Sequence, residues 1–175
     1  MNIFNDLTNF YVIGISYKNA DLHTRGKFNL SKSQKIKILK KGKGLDINEI
    51  LINNTCNRTE IYSFAESSRV IVNLLCENSD GDHETFKQLG YVFENIEAIN
   101  HIFKVGTGLD SQILGDFEII GQLKNSFNLS KDNQLIGSFM ERLTNSVIQA
   151  SKRIKTETKI SSGATSVAYA AVQFI

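Results

Sequence analysis

The chain has 175 residues, 41% apolar and 22% charged, with a formal net charge of +2. That suits a globular protein with a sizeable core and demands no extended basic face. Its first residues form no basic and apolar leader, no run approaches membrane-spanning length, and two cysteines make no disulfide framework, so a cytoplasmic protein with no membrane contact is expected.

Phe10 to Ser16 is rich in β-formers and predicts the first strand. A polar loop is expected from Lys18 to Asn29. Ser31 with Gln34 three positions on makes a capping-box pair, so a helix follows, with Ile36 and Leu39 inward and Gly42 and Gly44 at its end. Strands are predicted near 48–54 and 59–65, then a helix from about Ser68 to Cys76. A short helical piece and a last strand, Tyr91-Val92-Phe93, complete the order β-α-β-β-α-β. This order predicts an α+β fold, a ferredoxin-like antiparallel sheet with helices on one face, followed by a helical extension. From about residue 95 the apolar period becomes helical. One helix carries Ile96, Ile99, Ile102, Phe103 and Val105, and a second carries Ile119, Ile120, Leu123 and Phe127. The longest is expected from near Asp132 to about 155, through Ile136, Met140, Leu143, Val147, Ala150 and Ile154. The expected organisation is an α+β part over 1–94, a helical part over 95–157 and the start of a connector over 158–175.

The run Asn54-Thr55-Cys56-Asn57-Arg58-Thr59-Glu60 lies between two predicted strands. A structural cysteine belongs in a core, where it acts as a small hydrophobe. Cys56 instead sits among polar groups, two residues from a permanent cation that favours the nucleophilic thiolate. Local chemistry equally admits an ordinary turn residue. Gly106-Thr107-Gly108-Leu109-Asp110-Ser111 imitates a dinucleotide fingerprint, but it follows a helical period and Ser111 replaces the third glycine. No nicotinamide site and no metal site is read from the sequence.

Taken together, Thr55-Cys56-Asn57-Arg58-Thr59-Glu60, His101-Ile102-Phe103-Lys104-Val105 leading into Gly108-Leu109-Asp110-Ser111, Leu114-Gly115 and Gly121-Gln122 resemble glutamyl-tRNA reductase. Gly14-Ile15-Ser16-Tyr17-Lys18 looks like that family's opening strand and loop. Ala150-Ser151-Lys152-Arg153, continuing through Ser162-Gly163-Ala164 to Val172, is similar to its connector. The resemblance implies the N-terminal catalytic domain of a three-part enzyme, with the NADPH and dimerisation domains absent from this chain and no cofactor in the fragment. In that family a thiolate at the Cys56 position attacks the ester carbonyl of glutamyl-tRNA(Glu). NADPH then reduces the thioester to glutamate-1-semialdehyde for tetrapyrrole (porphyrin) synthesis.

The resemblance makes Cys56 and His101 catalytic, and Thr55, Asn57, Arg58, Ser111, Asp116, Phe117, Glu118 and Gln122 substrate-binding. Arg58 suits the substrate carboxylate through its planar fork, or alternatively lowers the Cys56 pKa. His101, by itself a hydrogen-bonded helical histidine, gains a role in carbonyl polarisation or proton transfer. A homodimer and glutamate-1-semialdehyde aminotransferase are the implied partners. Asp116-Phe117-Glu118 departs from the family's Glu-Pro-Gln, Tyr17 from a common histidine and Asp21 from a usual proline. Glu118 opposes a glutamate substrate unless it turns away or meets a cation such as Lys124. For tRNA phosphates the candidates are the lysines of 32–43, otherwise a solvated helix face, and Lys152, Arg153 and Lys155. The alternatives are a non-enzymatic adaptor of the same fold, or a cysteine hydrolase, which needs an adjacent base.

Overall fold

The computed structural model describes residues 8–158 apart from Phe117. The chain opens with β1 (Phe10–Ser16), α1 (Leu22–Phe28), α2 (Lys32–Gly44), β2 (Ile50–Asn54) and β3 (Arg58–Phe64). It continues through α3 (Ser68–Cys76), α4 (His83–Leu89) and β4 (Tyr91–Glu94). Three further helices follow: α5 (Asn95–Gly106), α6 (Glu118–Asp132) and α7 (Ser138–Glu157). The sheet order is β2-β3-β1-β4 with every neighbouring pair antiparallel, the ferredoxin-like arrangement expected from the element order.

Side chains alternate across a strand, so the two faces of this sheet carry different apolar sets. Ile13, Ile15, Ile50, Ile52 and Ile61 face one core with Ile38 and Leu39 of α2 and Ile71, Leu74 and Leu75 of α3. Phe10, Val12, Leu51 and Tyr62 face the other, with Ala98 and Ile102 of α5, Leu123 of α6, and Met140 and Val147 of α7. The helical part is therefore not an appendage but the layer that covers the second face. Covering both faces explains why β1 and β2 read as nearly unbroken apolar runs rather than alternating ones. Each fully buried Ile, Leu or Val contributes about 1.5–3 kcal/mol.

Several details differ from the sequence reading. The expected loop over 18–29 contains α1, whose N-cap Asp21 accepts a hydrogen bond from the Thr24 amide (2.7 Å). Only Phe28 of that helix is buried, so no apolar period marks it. On α2 the inward residues are Ile38 and Leu39, with Ile36 half-buried; the Ser31–Gln34 capping box is present. The β2 strand begins at Ile50, not 48. Finally, α7 begins at Ser138 rather than near Asp132, because Gln134 adopts φ 62° and Leu135 turns inward, where its carbonyl accepts the Ile50 amide (2.9 Å). The expected connector beyond Thr158 lies outside the described residues.

Candidate active site

Cys56 sits at the tip of the hairpin joining β2 to β3. The Thr55 amide donates to the Arg58 carbonyl (2.8 Å), and the Thr55 hydroxyl accepts the amides of Asn57 and Arg58 (both 3.2 Å). The Tyr17 amide donates to the Asn57 carbonyl (2.9 Å), tying the turn to the end of β1. These bonds hold the turn and leave the Cys56 side chain exposed. Arg25 of α1 approaches from the other side, donating from Nε to the Cys56 carbonyl (3.4 Å) and from Nη1 to the Ala20 carbonyl (2.7 Å). Sequence reading missed Arg25 because α1 was taken for a loop; Asp21 as an N-cap, followed by Arg25 and Lys27, is the signal that marks it.

Beneath the turn lies a buried charge network. The Arg58 side chain points inward and is 2% exposed. Its Nη1 donates to Glu60 Oε1 and Asp110 Oδ2 (both 3.0 Å), and its Nη2 to Asp110 Oδ2 (3.0 Å) and the Asp110 carbonyl. Lys18 pairs with the other Asp110 oxygen. Glu60 accepts five hydrogen bonds: from Asn53 Nδ2 (3.0 Å), Arg58, the Tyr62 hydroxyl (2.9 Å), the Tyr91 hydroxyl (2.6 Å) and His101 Nε2 (2.7 Å). An ionised carboxylate only accepts, so His101 carries its proton on Nε2. Burial alone raises the Glu60 pKa, but the His101 hydrogen bond and the Arg58 charge outweigh it and hold the carboxyl well below the usual range. Burial likewise opposes the Arg58 charge and is overcome, by Glu60 foremost. Burial and Glu60 push both tyrosines upward, so they remain protonated donors. Gly14, paired with Glu60 on one side and Tyr91 on the other, makes this possible. A Cβ there would meet the Tyr91 hydroxyl at 2.8 Å and the Thr59 carbonyl at 2.9 Å.

The structure gathers most of the expected site residues into one small cleft of about 60 Å³, lined by Thr55, Cys56, Asn57, Arg58, Ser111, Asp116, Glu118 and Gln122, with Ile119. Phe117 lies outside the described residues. His101 is not in the lining; its ring packs against Tyr91 and Phe93 and faces a different cleft with Glu97, Asn100 and Lys104. Among the described residues its hydrogen-bonded link to the Cys56 turn runs through Glu60 and Arg58. Arg58, expected to grip a substrate carboxylate, has both terminal nitrogens committed to the protein's own carboxylates. Asp110, together with Glu60, is the partner that commits it.

Nor does the glycine run form a dinucleotide cradle. Gly106 ends α5, so the glycine run follows a helix and not a strand. Gly108 adopts φ 76°, and a Cβ there would come within 2.9 Å of the Asp116 carbonyl. Its close approach is to the chain's own backbone, and a pyrophosphate does not fit.

The family model described as glutamyl-tRNA(Glu) reductase, N-terminal domain, matches residues 13–158. Glutamyl-tRNA reductase 2 of Flavobacterium johnsoniae is 55% identical over 168 residues, which is 96% of this chain and 39% of that protein. Glutamyl-tRNA reductase of Flavobacterium psychrophilum is 58% identical over 166 residues, 95% of this chain and 40% of that protein. The chain belongs to the glutamyl-tRNA reductase N-terminal domain family. The solved glutamyl-tRNA reductase from Methanopyrus kandleri matches the fold with a TM-score of 0.79 at 24% identity, over 96% of this chain and 39% of its own.

This glutamyl-tRNA reductase domain thus spans about two fifths of the curated relatives it matches. Its Asp116-Phe117-Glu118 departure has a local explanation for the two acidic residues. Asp116 Oδ1 accepts the Glu118 amide (2.9 Å), satisfying an orphan donor at the start of α6. Glu118 stands in the first turn of that helix, where the macrodipole favours a negative charge. Lys124 forms no ion pair with Glu118 among the described residues.

Proposed function

We propose that this domain performs the acyl-transfer half of the glutamyl-tRNA reductase reaction. The Cys56 thiolate attacks the carbonyl carbon of the ester joining glutamate to the 3′-terminal ribose. A C–S bond forms, the ester C–O bond breaks, and the ribose oxygen leaves and takes up a proton. Glutamate remains on the protein as a thioester, an acyl group that accepts hydride more readily than a carboxylate. The observation that carries this reading is the exposed Cys56 sharing one cleft with Ser111 and Gln122. Asp116 and Glu118 suit the α-ammonium of the glutamyl group rather than its carboxylate. His101, Glu60 and Asp110 act as positioning residues that fix Arg58 under the turn.

Among the described residues the cleft lining contains no histidine, and its two carboxylates, Asp116 and Glu118, are assigned to the α-ammonium, which favours a thioester that waits over one hydrolysed in place. Because the glycine run offers a pyrophosphate no cradle, reduction by NADPH is assigned to the longer protein, and no residue of this chain is given a part in it. The same reading extends, for that longer protein, to a homodimer and to transfer of the aldehyde to glutamate-1-semialdehyde aminotransferase. Two free thiols suit a reducing cytoplasm. Among the described residues no helix is long and apolar enough to cross a membrane.

The test is the intact mass of the chain after mixing with glutamyl-tRNA. A glutamyl adduct that maps to Cys56 and disappears in Cys56→Ala is expected. Rapid release of free glutamate without an adduct would point to a hydrolase, and indifference of the complete protein to Cys56→Ala would point to an adaptor.

A further inference from the structure

The Cys56 cleft, at about 60 Å³, holds little more than the reacting acyl group. Drug-sized ligands occupy pockets of about 300–1,000 Å³. A groove of about 470 Å³ adjoins it, running between the first turns of α2 and one face of α6, and Gln122 lines both. Lys32 and Lys35 stand on the α2 side, and Asn125 and Asn128 on the α6 side. No side chain of these four, nor that of Gln122, makes a hydrogen bond to protein among the described residues. Asn54, also in the lining, is by contrast fully used: it donates to Asn29 and Leu30 and accepts from Leu30 and Thr59.

We infer that this groove holds the single-stranded 3′-terminal backbone of the aminoacyl-tRNA while its ester lies against Cys56. The inference rests on the acyl-transfer reading and adds to it the path of the nucleic acid. Two ammonium groups match phosphates, and amide side chains match phosphate and sugar oxygens. Continuity through Gln122 joins the path to the reacting carbonyl. From Gln122 to Leu129 the helix rises about 10 Å, room for about three stacked nucleotides at roughly 3.4 Å each. Asp132 closes the far end with a charge that repels phosphate, so the strand departs before it.

The lysine-rich stretch thereby divides by location. Lys32 and Lys35 face the groove, whereas Lys41 pairs with Glu77 (3.0 Å) and Lys43 donates to Gln134 (3.0 Å). Lys37 and Lys40 are exposed and do not line this groove.

Equilibrium binding of deacylated tRNA(Glu) to this chain across a salt series tests the inference, with acylation by a small glutamyl thioester followed in parallel by intact mass. Each phosphate contact on a single strand contributes about 0.7 to the slope of log affinity against log salt. The double variant Lys32→Ala, Lys35→Ala is therefore expected to flatten the slope by about 1.4 and weaken binding. Lys37→Ala, Lys40→Ala, with the same loss of charge, is expected to leave the slope unchanged. Acylation by the small thioester is expected to be equal in both variants and the parent. Equal slopes in the two double variants, or no tRNA binding by the parent, would overturn the groove. Failure of the small thioester to label Cys56 would instead strike the acyl-transfer reading, and binding would still judge the groove.

Discussion

At the scale of single residues, the two cysteines show how environment decides chemistry. Cys76 packs in the core, and burial, followed by the nearby Asp82 charge, pushes its thiol up to about 11. At pH 8 only about one Cys76 in a thousand is then a thiolate. Cys56 stands exposed on its turn. Limited treatment with iodoacetamide at pH 8 should therefore place the first alkyl group on Cys56, with Cys76 modified only on unfolding; peptide mapping that found equal labelling would contradict this environment. The polar neighbours of Cys56 made its exposure legible in the sequence, because a core cysteine is not flanked by Thr, Asn and Arg. The commitment of Arg58 was not legible: Asp110 lies 52 positions away, and nothing local indicates that a loop after α5 folds back onto β3. His101 shows the same limit, since its helix gives a face but not the 2.7 Å bond to Glu60, 41 positions earlier.

At the scale of elements, legibility followed the strength of local signals. The β-rich run of β1 and the capping box of α2 each declare themselves within a few residues. Where a long-range bond sets the boundary, the sequence reading slipped. The clearest case is the start of α7, whose apolar period extends back to Ile136 although the helix begins at Ser138. Gly137 occupies the N-cap and supplies no side chain. Glu49, arriving from the residue before β2, fills the role instead: its Oε2 accepts the Met140 amide (2.7 Å). A carboxylate there also complements the positive end of the helix. Glu49→Ala should cost about 1 kcal/mol, the usual value of a lost cap, read as a lower urea midpoint with an unchanged slope. An unaltered midpoint would mean that water replaces Glu49 without loss.

At the scale of the whole molecule, Glu60 joins the layers. Its carboxylate gathers donors from β2 (Asn53), β3 (Arg58 and Tyr62), β4 (Tyr91) and α5 (His101), while Arg58 extends the network through Asp110 to Lys18. Removing the charge while keeping the shape, as in Glu60→Gln, leaves Arg58 with one carboxylate fewer and places an amide N–H against groups that all donate. Breaking a buried pair in this way costs about 3–5 kcal/mol, a large share of the roughly 5–15 kcal/mol that holds a domain folded. The pH dependence follows from the direction of the shift. The Glu60 pKa is lower folded than unfolded, so the unfolded chain binds the proton first as pH falls. Its contribution is complete above the ordinary carboxylate range, near pH 4.3 for a free glutamate, and declines steadily below it. Asp110, also held below its ordinary value, by Lys18 and Arg58 against the opposing effect of burial, adds to the same decline. Urea unfolding of the parent and Glu60→Gln between pH 7 and pH 3 should show the difference in stability greatest at neutral pH and shrinking as acid protonates Glu60 in the unfolded parent. A difference that stays constant across that range would mean that Glu60 contributes packing alone, and that Arg58 is held in place by Asp110 without it.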